Sequence, residues 1–237
     1  MAEEPPVPPF NVKDCSLVAL ATGKRALDLR ELRDNIQFIS PDSIYYHFWG
    51  TKMRPSFEDP DYHNDFATWA HRSLHDKTLA ERLSMLDPTG YTTLEDLRRD
   101  LLEVIDERLD EIEQPTWVGR DRQFEFIRAQ IVVFSTHIVV QHPREFAELM
   151  PTLSAGSVFY HFIDARRRNK GGVDDFENWL ESWSTAAAEA PGAPPPFEDL
   201  RMRIRHIDPF FSSLTDLRAE LAAAFRQHVR KSEHAHT

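Results

Sequence analysis

The 237-residue chain has a single cysteine, Cys15, so it cannot form an internal disulfide and its fold does not depend on an oxidising compartment. Cys15 precedes an apolar run and has no histidine beside it in the sequence. A reactive thiol needs a group that lowers its pKa, so we expect Cys15 to be a buried core residue rather than a nucleophile.

Sequence signatures of the common catalytic loops are also missing. There are only 8 glycines, and the chain contains no Gly-x-Gly-x-x-Gly motif, no phosphate loop, no Gly-x-Ser-x-Gly elbow and no Cys-x-x-Cys pair. No apolar run approaches the ~18 residues that span a bilayer. Residues 1–9 carry neither the basic start nor the apolar stretch of a secretory signal, so we expect a cytoplasmic protein with a flexible Pro-rich start.

The chain also lacks an excess of positive charge, and its net charge is −11. This argues against nonspecific binding to nucleic acid or to an anionic membrane. Residues 1–115 carry 23 acidic and 13 basic side chains, and residues 116–237 carry 16 and 15. Solvated helix faces, contact between the two halves, or a recognition patch for an acidic ligand would each account for this uneven distribution.

The strongest positive signal is an internal repeat. Residues 21–49 align with residues 135–163 without a gap at an offset of 114, and later blocks follow in the same order. Loops of variable length separate the blocks, as expected for a duplicated unit. The paired blocks are Ser43–Phe48 with Ser157–Phe162, Asn64–Trp69 with Asp174–Trp179, Leu86–Pro88 with Ile207–Pro209, and Leu94–Arg98 with Leu214–Arg218.

Local patterns indicate what each unit contains. Apolar runs broken near Gly23 and near residues 135–137 predict a short β-hairpin at the start of each unit. Apolar residues spaced three and four apart then predict amphipathic helices. Ser40, Asn64 and Asp76 are placed as N-caps, and a long helix is expected from about Thr93 to Ile112.

The sequence therefore predicts a mainly α protein built from two pseudo-symmetric helical repeats. The expected organisation is a flexible start (1–9), repeat unit 1 (10–115), repeat unit 2 (116–230) and a flexible tail (231–237). A Pro- and Gly-rich loop is expected at 186–196, where a helix cannot continue.

Each predicted unit contains one histidine, one aspartate and two aromatic residues that form a candidate polar site. A His–carboxylate pair can serve acid–base chemistry or hold a metal, and it can equally tie two helices together inside a core. Both units keep the pair, which favours the packing interpretation. The candidates are Tyr46, His47, Asp65 and Trp69 in the first unit, and Tyr160, His161, Asp175 and Trp179 in the second.

Two other features suggest a site less strongly. The His75–Asp76 doublet is typical of helical metal phosphohydrolases, but an N-cap at Asp76 explains it, and residues 185 and 186 of the second unit are Thr and Ala. Aromatic residues flank the loop Lys52–Asp61, where a ligand could bind. We expect no metal and no cofactor.

At the duplicated motifs the chain resembles an uncharacterised family of bacterial and archaeal proteins of unknown function. The residues that carry the resemblance are Ser43–Phe48, Asn64–Trp69, Ser157–Phe162, Asp174–Trp179 and Ala21–Gly23. The resemblance covers nearly the whole chain and implies the duplicated helical layout. It also implies an association with carbohydrate-active enzymes in genomes, and it supplies no catalytic residues.

The functional expectation is a non-catalytic binding or adaptor protein. Its partner would be a protein or a small-molecule ligand, and a homo-oligomer is a third hypothesis. The alternative is an enzyme or metal-binding protein that uses the His/Asp pairs, linked to carbohydrate metabolism.

Overall fold

The computed structural model describes residues 7–54, 61–114, 116–188 and 197–234, apart from the side chains of 187–188 and 232–234. Within them the chain is mostly helical and has a small antiparallel sheet of two strands. The predicted Pro- and Gly-rich loop lies largely outside the described residues. So do most of the loop Lys52–Asp61, much of the flexible start and the last residues of the tail.

The strands are β1 (Phe10–Ala26) and β2 (Phe124–Val140), and short 3₁₀ turns connect several of the helices. The helices are α1 (Leu29–Phe38), α2 (Pro41–Trp49), α3 (Asp65–Arg72), α4 (Lys77–Ser84), α5 (Leu94–Glu111), α6 (Phe146–Leu149), α7 (Ala155–Val158), α8 (Ala165–Arg168), α9 (Asp175–Ala188), α10 (Glu198–Arg205) and α11 (Leu214–His234).

The predicted β-hairpins are wrong. Each apolar opening forms one 17-residue strand, and β1 pairs with β2 instead of folding back on itself. Gly23 has φ +76° and His137 has φ +60°, so each strand carries one residue in the left-handed region. That local irregularity resembled a turn in the sequence, but pairing with a distant strand lets the chain continue through it.

The chain divides into two compact units. Unit N is Leu17–Val132, and unit C is Met1–Ser16 together with Val133–Thr237. The ranges predicted from the repeat follow chain order, whereas each compact unit contains one portion of β1 and one portion of β2. The difference arises because strand pairing joins residues far apart in sequence: Thr22 Oγ1 donates to Phe126 O in unit N, and Thr136 Oγ1 donates to Val12 O in unit C.

In unit N the predicted caps begin the helices. Ser40 caps α2 with Pro41 in its first turn, Asn64 caps α3, and Asp76 caps α4 by accepting from Leu79 N at 3.0 Å. Thr93 caps α5, which runs to Glu111, close to the predicted bounds. The apolar face of α1, with Leu29, Leu32 and Ile36, packs toward α5.

In unit C the segment between Ala155 and Arg168 is continuously helical, but Phe159–Asp164 forms a π-helical turn between α7 and α8. Such turns widen the helix by one residue and are frequent at functional sites. Tyr160 and His161 lie in it. Cys15 is buried in this unit and its Sγ donates to Gly156 O at 3.3 Å, as expected for a core residue.

Across the described part of the chain, every helix is too short or too polar to cross a bilayer.

Candidate functional site

In unit N, helices α2 and α3 bring His47 and Asp65 together. His47 Nδ1 lies 2.8 Å from Asp65 Oδ2, and His47 is only 2% exposed. The other ring nitrogen, Nε2, accepts a hydrogen bond from the backbone N–H of Ile127 in β2 at 3.1 Å. The imidazole therefore joins two helices to a strand.

These partners assign the tautomer of the His47 ring. A backbone N–H can only donate, so Nε2 must carry the acceptor lone pair. The ring proton then resides on Nδ1 and is donated to the Asp65 carboxylate. Both nitrogens of His47 are engaged, and neither is available to a ligand unless a contact within the unit breaks.

The accessible side of the pair is formed by an arginine that the sequence analysis did not include. Arg54 Nη2 lies 3.2 Å from Asp65 Oδ2, and its guanidinium sits 4.8 Å from the centre of the Tyr46 ring. The side chains of Arg54 and Asp65 are 45% and 19% exposed. Solvent therefore reaches the arginine and the carboxylate rather than the histidine.

Trp69, also in α3, holds the segment that leads into β2. Its indole Nε1–H donates to Arg122 O at 2.8 Å. Phe124, two residues further on, stacks on Phe66 with ring centres 5.1 Å apart and lies 4.7 Å from the His47 ring. The predicted residues Tyr46, His47, Asp65 and Trp69 thus belong to one packed assembly, of which β2 forms a part.

Unit C contains the same types of contact. His161 Nδ1 lies 2.7 Å from Asp175 Oδ2, and His161 Nε2 accepts from the backbone N–H of Lys13 in β1 at 2.8 Å. The ring is 3% exposed. As in unit N, a backbone donor forces the proton onto Nδ1.

The Asp175 carboxylate accepts two further hydrogen bonds, and one of their donors also covers Tyr160. Arg168 Nη2 donates at 3.1 Å and Asn169 Nδ2 donates at 2.9 Å, while the Arg168 guanidinium lies 4.0 Å from the Tyr160 ring centre. Burial raises the pKa of Asp175, but the hydrogen bonds from His161 and Asn169 outweigh it and leave that pKa below its ordinary value. The carboxylate is therefore held in its charged form.

Trp179 completes this assembly. Its Nε1–H donates to Pro8 O at 2.8 Å, and Phe10 stacks on Phe176 with ring centres 5.3 Å apart. Phe10 also lies 4.8 Å from the His161 ring. The structure thus brings Tyr160, His161, Asp175 and Trp179 together around the first residues of β1.

The chemistry open to these assemblies is limited by the engaged nitrogens. A general base or a metal ligand needs a free lone pair on the imidazole, and each ring uses its lone pair on a backbone N–H. Within the described residues no group of three or more His, Cys, Asp and Glu side chains is arranged to hold a metal ion.

One cavity of about 280 Å³ lies in unit N at the start of α4. Its lining includes Asp76, Lys77, Arg108 and Gln114, and none of the eight predicted site residues. Asp76, from the His75–Asp76 doublet, is bound to Arg108 at 2.8 Å and caps α4. This is the structural role that the sequence favoured for it.

Sequence reasoning missed the arginines and the strand residues of both assemblies. Arg54 and Arg168 are separated by 114 residues, as are Phe10 and Phe124, and Lys13 and Ile127. Extending the gap-free alignment beyond residues 21–49 in both directions would have found all three pairs. The backbone donors carry no side-chain signal at all.

The fold and these assemblies define a mainly helical protein with a two-stranded antiparallel sheet and, in each unit, a buried histidine bound to an aspartate. The chain belongs to the family of unknown function DUF5752, whose profile matches residues 7–226. The solved structure of OrfY from Thermoproteus tenax is similar, with 27% sequence identity and a TM-score of 0.74. The similarity covers 93% of this chain and 95% of that chain. No curated protein matches significantly.

Proposed function

We propose that the protein is a non-catalytic binding or adaptor protein, built from two divergent copies of one helical unit. The observation that carries this proposal is the double engagement of each buried histidine, between an aspartate on one side and a strand N–H on the other. A histidine used in this way stabilises a scaffold and leaves the exposed surfaces to bind a partner.

The duplication is supported by contacts that recur at matching positions. The His–Asp distance is 2.8 Å in unit N and 2.7 Å in unit C, and each aspartate also binds an arginine that covers a tyrosine ring. Each unit also has a tryptophan that donates to a strand-side carbonyl at 2.8 Å. A packing device is needed in every copy of a fold, whereas a catalytic centre is needed only once.

The partner is a protein or a small-molecule ligand that meets the exposed surface. The excess negative charge argues against nucleic acid and anionic membranes as partners. We extend the proposal to a cytoplasmic location. The alternative, an enzyme or metal protein of carbohydrate metabolism, would need one of the histidines to release its backbone partner.

Metal content and stability together separate these functions. The proposal expects no stoichiometric Zn²⁺ or Mn²⁺ after equilibration and dialysis of the wild-type chain, measured by elemental analysis. It expects His47→Ala and His161→Ala each to lower the melting temperature. Stoichiometric metal that disappears in the double variant would establish the metal-site alternative instead.

The binding role needs its own test. The full chain, immobilised through its N-terminus, should repeatedly retain the same protein or small molecule from an extract of the source cells. The same extract passed over a support without the chain gives the background. Failure to retain any molecule above background in repeated trials would contradict the adaptor function.

A further inference from the structure

The cavity of unit N changes from apolar to polar toward solvent. Leu29 and Leu74, which contribute to its lining, are only 2% and 6% exposed, whereas Lys77, Thr78 and Gln114 in the same lining are exposed. Its volume of about 280 Å³ is close to the lower end of the roughly 300–1,000 Å³ of small-molecule sites. The cavity therefore suits a small molecule that has an apolar body and a polar head.

The charged residues of this lining leave positive charge available. The Asp76 carboxylate is fully engaged, since Oδ1 accepts from Leu79 N at 3.0 Å and Oδ2 accepts from Arg108 Nε at 2.8 Å. Arg108 also donates through Nη1 to Glu111 at 2.9 Å, and among the described residues neither its Nη2 nor the Lys77 ammonium has a partner. With histidine taken as neutral, the lining holds two cations and one carboxylate. An anion is the ligand that this excess positive charge favours.

Unit C fills the matching place with an aromatic ring. Helices α4 and α10 align without a gap at an offset of 121, and α5 and α11 align at an offset of 120. Asp76 therefore matches Phe197, and Arg108 matches His228. The ion pair of unit N is replaced by two rings whose centres lie 5.1 Å apart.

A second ring adds to this filling. Trp183 matches Ser73 at the offset of 110 that relates the motifs of Trp69 and Trp179. The Trp183 ring centre lies 5.9 Å from that of Phe197. Where unit C has two packed rings, unit N has a serine and an aspartate. The fold can therefore close this place with its own side chains, and unit N keeps it open.

We propose that the cavity of unit N binds a small carboxylic acid with an aromatic or branched apolar body. The apolar body lies against Leu29 and Leu74, in the place that corresponds to the rings of unit C. The carboxylate meets the Lys77 ammonium and Nη2 of Arg108, and a monoanion matches the single excess positive charge of the lining. The inference rests on the proposed binding function and names the class of its small-molecule ligand.

The test is titration calorimetry of the full chain with four small probes. Phenylacetate, which has a ring and a carboxylate, should bind with a Kd of about 1 mM or below, an ordinary affinity for about ten heavy atoms. Phenylacetamide lacks the charge and acetate lacks the ring, so each should bind at least tenfold more weakly. Phenyl phosphate carries a different anionic head. Binding of phenyl phosphate more than tenfold tighter than phenylacetate would overturn the carboxylate class.

Three variants locate the binding. Lys77→Gln should raise the Kd of phenylacetate about tenfold with an unchanged melting temperature, because the side chain is exposed and unpaired in the described structure. Lys24→Gln is the matched control, since Lys24 is an exposed lysine of unit N outside the cavity, and it should bind as wild type does. Ser73→Trp introduces the ring that unit C carries and should abolish binding.

The outcomes that overturn the proposal are specific. They are a wild-type chain that binds phenylacetate no more tightly than acetate or phenylacetamide, a Lys77→Gln variant that binds as wild type does, and a Lys24→Gln effect of equal size. Failure of the adaptor function is measured separately, by retention of a molecule from the cell extract. A chain that binds none of these probes but retains a protein keeps that function and loses only this site.

Discussion

Asp174 offers the sharpest test of how unit C is stabilised, because the two units differ there by one functional group. Its side chain is fully buried, and its Oδ1 accepts from the backbone N–H of Glu177 at 2.8 Å. The matching residue of unit N is Asn64, which accepts from Ala67 N at 2.8 Å and donates to Leu83 O at 3.0 Å. Asp174→Asn therefore introduces an amide that the other unit already accommodates.

The magnitude follows from the pKa. Burial raises the pKa of Asp174 to about 7, although the Glu177 N–H and the charge of Arg166 lower it. In the unfolded chain the carboxyl has its ordinary pKa of 3.8. The folded state therefore binds the extra proton, and stability falls as pH rises from about 4 to about 7, by at most about 4 kcal/mol. With relaxation of the site we expect about 1–3 kcal/mol.

The assay is urea unfolding followed by circular dichroism at several pH values from 5 to 8. Asp174→Asn should be more stable than wild type at pH 8, by about 1–3 kcal/mol, and this difference should shrink to less than half at pH 5. Asn64→Asp is the matched control, and it should lower the stability of unit N at pH 8. A variant that is equally or less stable than wild type at pH 8 would refute the reasoning.

Three further outcomes are expected. His47→Ala removes two hydrogen bonds and a ring packed against Phe66 and Phe124. The free energy of unfolding should therefore fall by about 3–4 kcal/mol in urea titrations, against less than about 1 kcal/mol for His71→Ala, and equal losses would contradict the buried role. His137 has φ +60°, a backbone conformation that strains histidine and that glycine adopts freely. His137→Gly should therefore raise the free energy of unfolding by about 1 kcal/mol, and a lower melting temperature would count against this reasoning. Burial raises the pKa of Cys15 to about 12, so iodoacetamide should modify it at pH 8 only in urea, and rapid labelling of the native chain would disprove its burial.

Helices with strong local signals could be predicted from the sequence. Ser40, Asn64, Asp76 and Thr93 were expected at the starts of helices, and each caps the helix that follows it. These signals are local because a capping side chain binds a backbone N–H only two or three residues away. The same locality misled the prediction of hairpins, since a break near Gly23 looks like a turn whether or not the chain reverses.

Only some of the residues in the candidate site could be predicted, because the sequence motifs are local signals as well. The motifs named the histidine, aspartate, tyrosine and tryptophan of each assembly. Arg54 and Arg168 lie outside the motifs, and their contacts with Asp65 and Asp175 show that they belong to the assemblies. The exposure of Phe134 and Val139 was equally hidden, because an apolar strand has the same sequence whether it is covered or bare.

By itself the sequence determined the bounds of α5, the caps in unit N and the residues that recur as a set, since each depends on side chains close together along the chain. The tertiary structure alone decided the partners of the histidines. Lys13 meets His161 across 148 residues, and Ile127 meets His47 across 80. Both donors are backbone N–H groups, which every residue except proline possesses, so no side-chain pattern could have identified them before the strands were placed.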